Sequence, residues 1–474
     1  MRTLLLNPPS FENFDGGAGS RWPVTREVVS FWYPVWLAYP AAMIPESRLL
    51  DTGSHGIGWD ETLRIARDFD FVAVFTSTPG FVNDLRLAQA LKDQRPDCRV
   101  AFVGPQVSVQ PEETLRACPA IDFVVRREFD HALTDFAQGR PLADIPSVSY
   151  RRNGSVAHNP QAPELGTADL DAMPFVTPIY KRDLEYRRYT VPFLLHPYVS
   201  FYTERGCPAL CTFCLWPQTF SGHGWRVRSP RSVAEEVELA YRLFPDLKEI
   251  FFDDDTFTYR RQRVLEVCQA LKPLGRTWSC TARVTADYET LKAMREAGCR
   301  LLIVGFESGD EQILKNIKKG AGLAAARRFV TWCKQLGLVI HGDFILGLPG
   351  ETRETIEQSI RFACELDVET IQVSIAHAYP GTDLYEHLRS NQRFLGTDLV
   401  NAAGHQAVNF SYDALTAAEI HAAVERFYKR YYFRPRVITR ILRRALWDGA
   451  ERRRLARDAW DFLRWLRSRR AAHA

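Results

Sequence analysis

Short apolar runs alternate with amphipathic stretches over residues 1–140 of the chain. The apolar runs, which we predict to be strands, cover residues 3–6, 48–51, 71–76, 99–103 and 123–125. Helical patterns lie between them at residues 84–93 and 112–117. This alternation predicts a doubly wound, Rossmann-like α/β domain with a parallel sheet, in which a ligand binds beyond the carboxyl ends of the strands.

A second alternation of the same kind covers residues 196–404, after a connector at residues 141–195 that contains a hairpin pattern around Asn153-Gly154. Its predicted strands cover residues 198–203, 249–252, 278–282, 301–305, 339–345 and 370–375. Strands and helices in this order predict a partial (β/α)6 TIM-like barrel, with its chemistry at the carboxyl ends of the strands. Residues 405–474 are predicted to be helical, with a break at Pro435.

Positive charge is concentrated at the end of the chain. The net charge of the whole chain is +4, whereas residues 421–474 contain 16 Lys and Arg against 5 Asp and Glu. Aromatic residues lie among these cations, which predicts peripheral contact with a membrane surface through residues 421–470. The alternative is a helical cap on the barrel with a solvated arginine face. We expect no nucleic-acid partner, because no recognition fold accompanies the charge.

The ten cysteines come without the pattern of a secreted, disulfide-rich domain, which predicts a reducing and therefore cytoplasmic location. The apolar segment at residues 28–44 is near the lower length limit for a membrane span, and Pro34 and Pro40 interrupt it. We predict a buried loop and helix there. Membrane contact is thus expected to be peripheral, on the inner face of the membrane.

Three of the cysteines are candidate metal ligands. Cys207, Cys211 and Cys214 form the spacing C-x3-C-x2-C, which supplies three thiolates and no fourth. A closed structural zinc site takes four ligands, and no second cysteine pair follows here. An iron–sulfur cluster held by three cysteines instead leaves one iron open for a ligand that is not protein. The spacing therefore favours a cluster over zinc.

The sequence around these cysteines resembles the radical S-adenosylmethionine (SAM) superfamily: Arg205-Gly206 precede the first cysteine and Phe213 precedes the last. In that superfamily a [4Fe–4S] cluster binds SAM through its open iron, and one electron cleaves SAM to a 5′-deoxyadenosyl radical. The resemblance implies a [4Fe–4S] cluster and SAM as cofactors. It also implies an electron donor such as flavodoxin or ferredoxin.

Further segments at residues 251–257, 305–309 and 342–352 resemble the SAM-binding parts of that superfamily. The SAM-binding residues that this resemblance implies are Phe213, Asp254, Asp255, Glu307, Ser308 and Gly347. The two aspartates would hold the SAM amino group, Glu307 and Ser308 its ribose and carboxylate, and Gly347 would flank the adenine. A solvated acidic turn, a structural salt bridge of Glu307 and an ordinary strand–turn–helix are the open alternatives.

The first domain, placed before such a barrel, resembles the cobalamin-dependent subclass of the superfamily. Many cobalamin domains carry D-x-H-x-x-G, whose His replaces the lower ligand of cobalt. Asp51 and Gly56 fit this pattern, whereas Gly53 occupies the His position. Ser77 and Gly104 lie in further segments that resemble the subclass. These five residues are the implied cobalamin-binding set, without the usual histidine ligand; a domain that has lost the cofactor is the alternative.

Residues 207–223 resemble the hopanoid-biosynthesis-associated radical SAM proteins of the HpnJ type, and the similarity extends nearly end to end. It implies a hopanoid-type lipid substrate: the glucosamine ring of a bacteriohopanetetrol glycoside would be contracted to a cyclitol ether. A cobalamin-dependent radical SAM C-methyltransferase on a lipid or natural-product substrate is the alternative. A third, a non-catalytic cluster-bearing sensor, would not need the SAM-binding segments. We assign no protein residue to the chemical steps.

Overall fold

The computed structural model describes residues 1–10, 27–396, 399–400, 407–447 and 449–471. The strands of its first sheet are β1 (Thr3–Asn7), β2 (Ser47–Asp51), β3 (Phe71–Phe75), β4 (Arg99–Val103), β5 (Phe123–Val125), β6 (Val148–Arg152) and β7 (Ser155–His158). Their order in the sheet is β2-β1-β3-β4-β5-β6-β7, and the pairs among β1 to β5 are all parallel.

Apolar cores lie on both faces of this sheet. Leu5 and Ala73 belong to one core, whereas their neighbours Leu4 and Val72 belong to another. The helices of this region are α1 (Val35–Met43), α2 (Thr52–His55), α3 (Trp59–Ala66), α4 (Phe81–Gln94), α5 (Pro105–Val109), α6 (Pro111–Ala117) and α7 (Asp130–Ala137). A parallel sheet buried on both faces is the doubly wound architecture that the alternation predicts, which confirms that prediction.

The hairpin that the sequence places in the connector extends the first sheet. β6 pairs antiparallel with β5, and β7 pairs antiparallel with β6. Asn153 and Gly154 have positive φ angles of 51° and 82°, as a two-residue hairpin turn requires. The rest of the connector contains α8 (Thr167–Ala172), α9 (Thr177–Asp183) and 3₁₀ turns at Leu142–Asp144 and Tyr186–Arg188.

A second parallel sheet forms the barrel. The later strands are β8 (Tyr198–Phe201), β9 (Glu204–Arg205), β10 (Arg226–Val227), β11 (Glu249–Phe252), β12 (Trp278–Ala282), β13 (Cys299–Glu307), β14 (Val339–Leu346) and β15 (Thr370–Ile375). Apart from β9 and β10, which pair with each other, they form a six-stranded sheet in chain order from β8 to β15. This is the open (β/α)6 barrel expected from the sequence.

Helices separate the strands of the barrel. They are α10 (Pro230–Leu243), α11 (Arg261–Leu271), α12 (Tyr288–Glu296), α13 (Glu311–Asn316), α14 (Leu323–Leu336), α15 (Arg353–Leu366) and α16 (Asp383–Ser390). A π-helical turn at Pro217–Ser221 and a 3₁₀ turn at Lys272–Leu274 complete this part. The C-terminal helices are α17 (Ala417–Tyr432), α18 (Pro435–Trp447) and α19 (Gly449–Ala471). None of the helices in the described ranges is long and apolar enough to cross a membrane.

Tyrosine hydroxyls cap both open edges of the barrel. At β15, the N–H groups of Ile371 and Val373 donate to the hydroxyls of Tyr432 and Tyr428 on α17, each at 2.9 Å. At β8, the hydroxyl of Tyr180 donates to the carbonyl of Ser200 at 2.9 Å. Edge strands carry unpaired backbone groups, so these contacts satisfy groups that would otherwise be open to pairing with another chain.

The two sheets meet at the carboxyl ends of their strands. Arg205 on β9 donates to both carboxylate oxygens of Asp130, at 2.7 and 3.1 Å, and Arg226 on β10 donates to Glu128 at 2.6 Å. The two acidic residues follow β5, and the two arginines follow β8. Trp36 of α1 packs over the Arg205 guanidinium at 4.6 Å. The loops that carry candidate chemistry in both domains therefore face each other.

Candidate functional site

The cysteine loop follows β9. Cys207 and Cys211 are buried and Cys214 is half-buried. The side-chain amide of Gln218 donates to the carbonyl oxygens of Cys211, Thr212 and Cys214 at 3.1, 3.2 and 2.8 Å, which holds the loop in a tight turn. Among the described residues, no three His, Cys, Asp or Glu side chains converge as one metal ion requires. The cysteines of an iron–sulfur cluster bind different irons, so they do not have to converge on a single ion.

The chemistry of the thiols also fits a metal cluster. Burial raises the pKa of Cys207 to about 11 and that of Cys214 well above its ordinary value, so metal binding would release protons here. Lys319 supplies positive charge beside the loop. Its pKa is raised although burial opposes this, because Glu307 and Cys211 both lie near its ammonium group. Two buried thiols and a half-buried one beside a cation suit a negatively charged iron–sulfur centre.

Asp254, predicted to bind the SAM amino group, ties two strand ends together. Its carboxylate accepts hydrogen bonds from the N–H groups of Thr203 and Glu204, at 2.6 and 3.0 Å, and from the Thr203 hydroxyl at 2.5 Å. Burial raises the pKa of Asp254 to about 6, and these hydrogen bonds oppose the rise. The buried carboxylate thus makes three hydrogen bonds to the protein and joins the end of β8 to the end of β11.

Asp255 faces the space beside the cysteine loop instead. It is exposed, and it accepts a hydrogen bond from the Ser221 hydroxyl at 3.1 Å. Its negative charge contributes to the raised pKa values of Cys207 and Cys214, which places it close to both thiols. The protein atoms around this carboxylate remove part of its water, which raises the pKa of Asp255 to about 6 although the side chain stays accessible. Phe213, in the same loop as the cysteines, is half-buried against the main core.

Glu307 forms the buried ion pair that the sequence left open as an alternative. Its carboxylate accepts from Lys319 Nζ at 2.6 Å, and little of either side chain is exposed. Gly305 makes room for the pair, because a Cβ there would lie 2.2 Å from Glu307 Oε1. Arg283 Nη2 donates to the Lys319 carbonyl at 2.7 Å. Lys319 lies near Cys211 as well, so the ion pair adjoins the cysteine loop.

Ser308 and Gly347 contact the outer layer of the barrel. The Ser308 hydroxyl is buried and lies 3.2 Å from that of Ser359 on α15. Gly347 has a φ of 90°, its N–H donates to Glu351 Oε2 at 2.5 Å, and a Cβ there would lie 2.9 Å from the Phe410 ring. These contacts show how both residues shape the barrel rim. They do not place either residue among the cysteines and carboxylates.

The strand order places the ligand crevice of the first domain between β1 and β3. In a sheet of order 2-1-3-4-5, ligands bind where the direction of strand addition reverses, at the β1/β3 switch point. Asp51, Gly53 and Gly56 follow the edge strand β2, one strand away. The Asp51 carboxylate accepts from Asn7 Nδ2 at 2.6 Å and from the Tyr189 hydroxyl at 2.7 Å. These three predicted residues thus lie beside the crevice.

Ser77 and Gly104 follow the inner strands β3 and β4 and lie at the crevice side of the sheet. Gly104 has a φ of 114°, and a Cβ there would lie 2.4 Å from the Thr76 carbonyl oxygen. Only glycine allows these two loops to touch in this conformation. Ser77 is buried. The loop after β1 begins with residues 8–10, and residues 11–26 lie outside the described part of the chain.

Sequence reasoning missed Gln218 and the buried Arg205–Asp130 pair. Gln218 lies four residues after Cys214, and its side-chain amide donates to three carbonyl groups of the cysteine loop. A polar residue so close to the last cysteine was the sign in the sequence that could have indicated this role. Arg205 and Asp130 lie 75 residues apart in different domains. No pattern along the chain connects them.

Two protein families match this chain. Residues 202–363 match the radical SAM superfamily, and residues 21–137 match the B12 binding domain. The first range contains the cysteine loop, Asp255 and Glu307, and the second contains Ser77 and Gly104. The cofactors of the chain are accordingly a [4Fe–4S] cluster, SAM and cobalamin.

Several curated proteins are similar to the chain over most of its length. An uncharacterized methyltransferase of Pyrococcus horikoshii is 31% identical, over 92% of this chain and 94% of the relative. An anaerobic magnesium-protoporphyrin IX monomethyl ester cyclase of Rubrivivax gelatinosus is 25% identical, over 91% and 77%. A hopanoid C-2 methylase of Rhodopseudomonas palustris is 24% identical, over 84% and 72%.

Solved structures share the fold. The radical SAM methyltransferase TsrM from Kitasatospora setae, with cobalamin and a [4Fe–4S] cluster bound, aligns with a TM-score of 0.63 at 16% identity, over 92% of this chain and 89% of that one. The cobalamin-dependent radical enzyme OxsB, with aqua-cobalamin and SAM bound, aligns with a TM-score of 0.67 at 15% identity, over 97% and 71%. The fold, the two family matches and the full-length relative agree. The chain is a radical SAM enzyme and belongs to the cobalamin-dependent branch of that superfamily.

Proposed function

We propose that this enzyme transfers a methyl group to a carbon atom of a hopanoid-type lipid. The observation that carries the proposal is the 31% identity to a methyltransferase over nearly the whole length of both chains. The similarity to a hopanoid C-2 methylase, which covers 84% of this chain and 72% of that relative, supports the lipid class. An iron–sulfur cluster with SAM supplies a 5′-deoxyadenosyl radical that removes hydrogen from carbon, and cobalamin is the methyl carrier in this type of enzyme.

The cysteine loop would hold the cluster. Cys207, Cys211 and Cys214 are the proposed ligands, and Gln218 fixes their backbone by its three hydrogen bonds. Lys319 balances part of the negative charge of the thiolates, and Glu307 fixes Lys319 in place. The electron donor, proposed to be a flavodoxin or ferredoxin, would deliver its electron at this loop.

Asp255 is the carboxylate we propose for the SAM amino group. It is accessible and close to the cysteines, whereas Asp254 is engaged in three hydrogen bonds with the end of β8. A carboxylate suits an ammonium group, because charge-assisted hydrogen bonds are the stronger ones. Phe213, Glu307, Ser308 and Gly347 remain proposed members of the SAM site, with Ser308 and Gly347 acting through the shape of the rim.

Ser77 and Gly104 are the proposed contacts of cobalamin, since they lie at the switch-point side of the first sheet. Residues 8–10, 76–80 and 104–110, which follow β1, β3 and β4, contain no histidine. His55 lies on the β2 loop, where its Nε2 accepts from the Glu185 N–H at 2.9 Å. This arrangement supports cobalamin bound without a histidine ligand from these loops. Asp51, Gly53 and Gly56 would support the crevice from the neighbouring strand.

Ring contraction of a sugar on the lipid is the second candidate. The observation that favours it is the segment from Cys207 to His223, which resembles radical SAM proteins of the HpnJ type. In the structure this segment packs between the domains: Trp216 stacks with Trp36 at 6.2 Å, and the Cys207 carbonyl lies 3.0 Å from His223 Nδ1. A glucosamine ring on a bacteriohopanetetrol glycoside would be contracted to the cyclitol ether. Both candidates begin with a carbon radical on the substrate.

The C-terminal helices support a substrate that resides in a membrane. α18 exposes Ile438, Ile441 and Leu442 by 40, 36 and 59%. Residues at this spacing lie on one side of a helix, and the exposed Arg443 adjoins them. We propose that this side binds an anionic bilayer, because apolar side chains would enter the interface while arginine meets lipid phosphate. The cap alternative describes α17, which packs on the sheet, and the part of α19 around Trp465, whose ring is buried against Tyr428. The exposed apolar side of α18 is what the cap leaves uncovered.

Binding to vesicles tests this surface. Wild-type protein is expected to sediment with phosphatidylglycerol vesicles more than with phosphatidylcholine vesicles. Ile441→Ser with Leu442→Ser should weaken the binding by about 100-fold or more, because each side chain that is fully buried in the interface contributes about 1.5–3 kcal/mol. Leu395→Ser, an equally exposed apolar residue elsewhere, is the matched control. Equal binding by both variants would overturn the proposed surface.

The reaction is tested with the reconstituted enzyme under anaerobic conditions. The mixture contains reductant, cobalamin, bacteriohopanetetrol glucosamine and SAM with a deuterated methyl group, and products are identified by mass spectrometry. A product that carries the labelled methyl group supports methyl transfer. An unlabelled isomer of the substrate supports ring contraction instead. Absence of 5′-deoxyadenosine from the intact holoenzyme would contradict both and favour the sensor alternative.

A further inference from the structure

We infer that the inner face of β14 and β15 binds a hydroxyl- and amine-bearing part of the substrate. This inference rests on the proposed function, since it names the substrate class of the same barrel. The residues concerned are His341, Asp343, Gln372 and Ser374, which we call the inner polar row. The comparisons with known proteins assign no role to them.

Strand register places these side chains on one face of the sheet. Gly305, Asp343 and Gln372 are paired neighbours across β13, β14 and β15. Paired residues on adjacent parallel strands point to the same side, and the side alternates along each strand. Phe344, the next residue on β14, packs against Phe427 of α17 at 5.2 Å. Asp343 therefore points away from the helices, into the barrel.

The row contains a buried polar atom that the protein leaves unsatisfied. His341 is 5% exposed, and its Nε2 makes no hydrogen bond within the described part of the chain. Nδ1 of the same ring lies 2.7 Å from the Thr370 hydroxyl. Asp343 Oδ1 lies 3.4 Å from Nε2, and the Asp343 side chain keeps a third of its surface open to the interior. A buried polar atom without a partner is costly, so a polar ligand at this point fits the site.

The shape of the barrel directs a ligand to the row from the cysteine side. At the other end, the Phe193 ring stacks on His341 with 3.9 Å between ring centroids, and the Trp32 ring packs against Phe251 at 5.4 Å. These aromatic residues close the amino-terminal end of the interior. Asp343 pairs across the strands with Gly305, where a Cβ would lie 2.2 Å from Glu307 Oε1. The row therefore lies near the Glu307–Lys319 pair.

The composition of the row defines the ligand class. A carboxylate, an imidazole, an amide and a hydroxyl accept and donate hydrogen bonds at closely spaced points, and Gln372 Nε2 already reaches Ser374 Oγ at 3.1 Å. A ring of hydroxyl groups with an amine, such as an amino sugar, satisfies such a set. The apolar part of a lipid would leave Asp343 desolvated and unpaired. The carbon that reacts would thus belong to the polar head group under both candidate reactions.

Saturation-transfer NMR with glucosamine as the probe tests this site without turnover. The protein is the reconstituted holoenzyme with SAM. Wild-type protein should give a transfer signal, and Asp343→Asn and Gln372→Ala should weaken glucosamine binding about tenfold or more, as loss of a charged hydrogen bond predicts. Glu365→Gln, an exposed carboxylate paired with Arg327 outside the barrel, is the matched control.

Turnover separates this inference from the proposed reaction. In Asp343→Asn, KM for bacteriohopanetetrol glucosamine should rise, while the control Glu365→Gln should keep the wild-type KM and the wild-type formation of 5′-deoxyadenosine. Wild-type protein that binds no glucosamine, or variants that bind it as wild type does, would overturn the inference even if methyl transfer is found. Glucosamine binding lost in both variants would sustain it even if neither product forms. If Asp343→Asn does not fold, the test rests on glucosamine binding by Gln372→Ala, whose folding is checked by thermal unfolding.

Discussion

The two proposed cofactor sites of this molecule differ in how they are built. The barrel site takes its three thiols from one loop, and Asp255 and Glu307 come from the ends of strands in the same sheet. The first-domain site depends on strand order, because its crevice opens at the β1/β3 switch point. The spacing of the cysteines along the chain was enough to predict the barrel site. The best match to a cobalamin pattern instead fell on the edge strand β2, beside the crevice.

This difference between the two sites shows which kind of site a short sequence motif can predict. A cluster needs side-chain donors, and donors a few residues apart on one loop stay together whatever the surrounding topology. A crevice between loops uses backbone approach and small residues such as Gly104, so it is defined by which strands are neighbours. The following variants test the contrast, beginning with the largest expected effect.

Replacement of one thiol should eliminate the barrel site. In Cys211→Ala we expect the reconstituted protein to lose its cluster absorbance and more than about 100-fold of its SAM cleavage, since even partners of metal ligands are worth about 10–100-fold. Cys364→Ala, a half-buried cysteine on α15, is the control. Full iron content and cleavage in Cys211→Ala would show that the loop does not hold the cluster.

A single methyl group should damage the first-domain site. Gly104→Ala places a Cβ 2.4 Å from the Thr76 carbonyl at a φ of 114°. Strain of this kind costs about 1–3 kcal/mol, which would weaken cobalamin binding roughly 5- to 150-fold if it opens the crevice. Gly154 also has a positive φ, of 82°, but no atom lies within 4 Å of the position that a Cβ would take. Gly154→Ala is therefore the control for backbone strain without a steric clash. Absorbance titration with cobalamin measures both, and equal affinities would contradict the proposed crevice.

Asp51→Asn should separate stability from cobalamin binding. An amide cannot accept hydrogen bonds from both Asn7 and the Tyr189 hydroxyl as the carboxylate does. We expect the free energy of unfolding to fall by about 1–3 kcal/mol, with cobalamin affinity unchanged. Urea unfolding and cobalamin titration provide the two measurements. A loss of cobalamin affinity with an unchanged free energy of unfolding would show that cobalamin contacts the edge strand β2.

Glu351 should make the stability of the barrel depend on pH, with a smaller effect than those of the variants above. Its pKa is raised to about 8 by burial, although the N–H groups of Gly347 and Leu348 donate to it. Between the ordinary glutamate pKa and pH 8, the folded protein binds more protons than the unfolded one, so stability falls as pH rises. Glu351→Gln should reduce this fall between pH 5 and pH 8, as measured by thermal unfolding. An unchanged slope would exclude Glu351 as its source.

Most of the fold could be read from the sequence. The barrel strands at residues 249–252, 278–282 and 370–375 have the bounds that the apolar runs predict, because buried parallel strands consist of continuous apolar residues. The hairpin at Asn153-Gly154 was also found, but its place in the first sheet was not. Hairpins are local, whereas the strand beside which a hairpin pairs is decided by contacts far along the chain.

The roles of neighbouring residues were harder to separate. Asp254 and Asp255 are adjacent, yet one carboxylate binds the backbone of β8 and the other faces the cysteine loop. Glu307 and Ser308 also point in different directions. Glu307 pairs with Lys319 beside the cysteine loop, whereas Ser308 contacts Ser359 on the outer helix α15. Successive residues at a strand end point in opposite directions, and one residue of register changes which of them faces the site.

The sequence by itself determined the chemistry of this protein: the cysteine spacing, the alternation of strands and helices, and the basic, aromatic C-terminal region. These depend on residue type and short-range periodicity, which a linear chain displays directly. Only the tertiary structure decided which carboxylate reaches the cysteines, which strand borders the crevice and which polar residues line the barrel interior. Those outcomes follow from strand order and from the face on which each side chain lies, and both are set by contacts between residues distant in sequence.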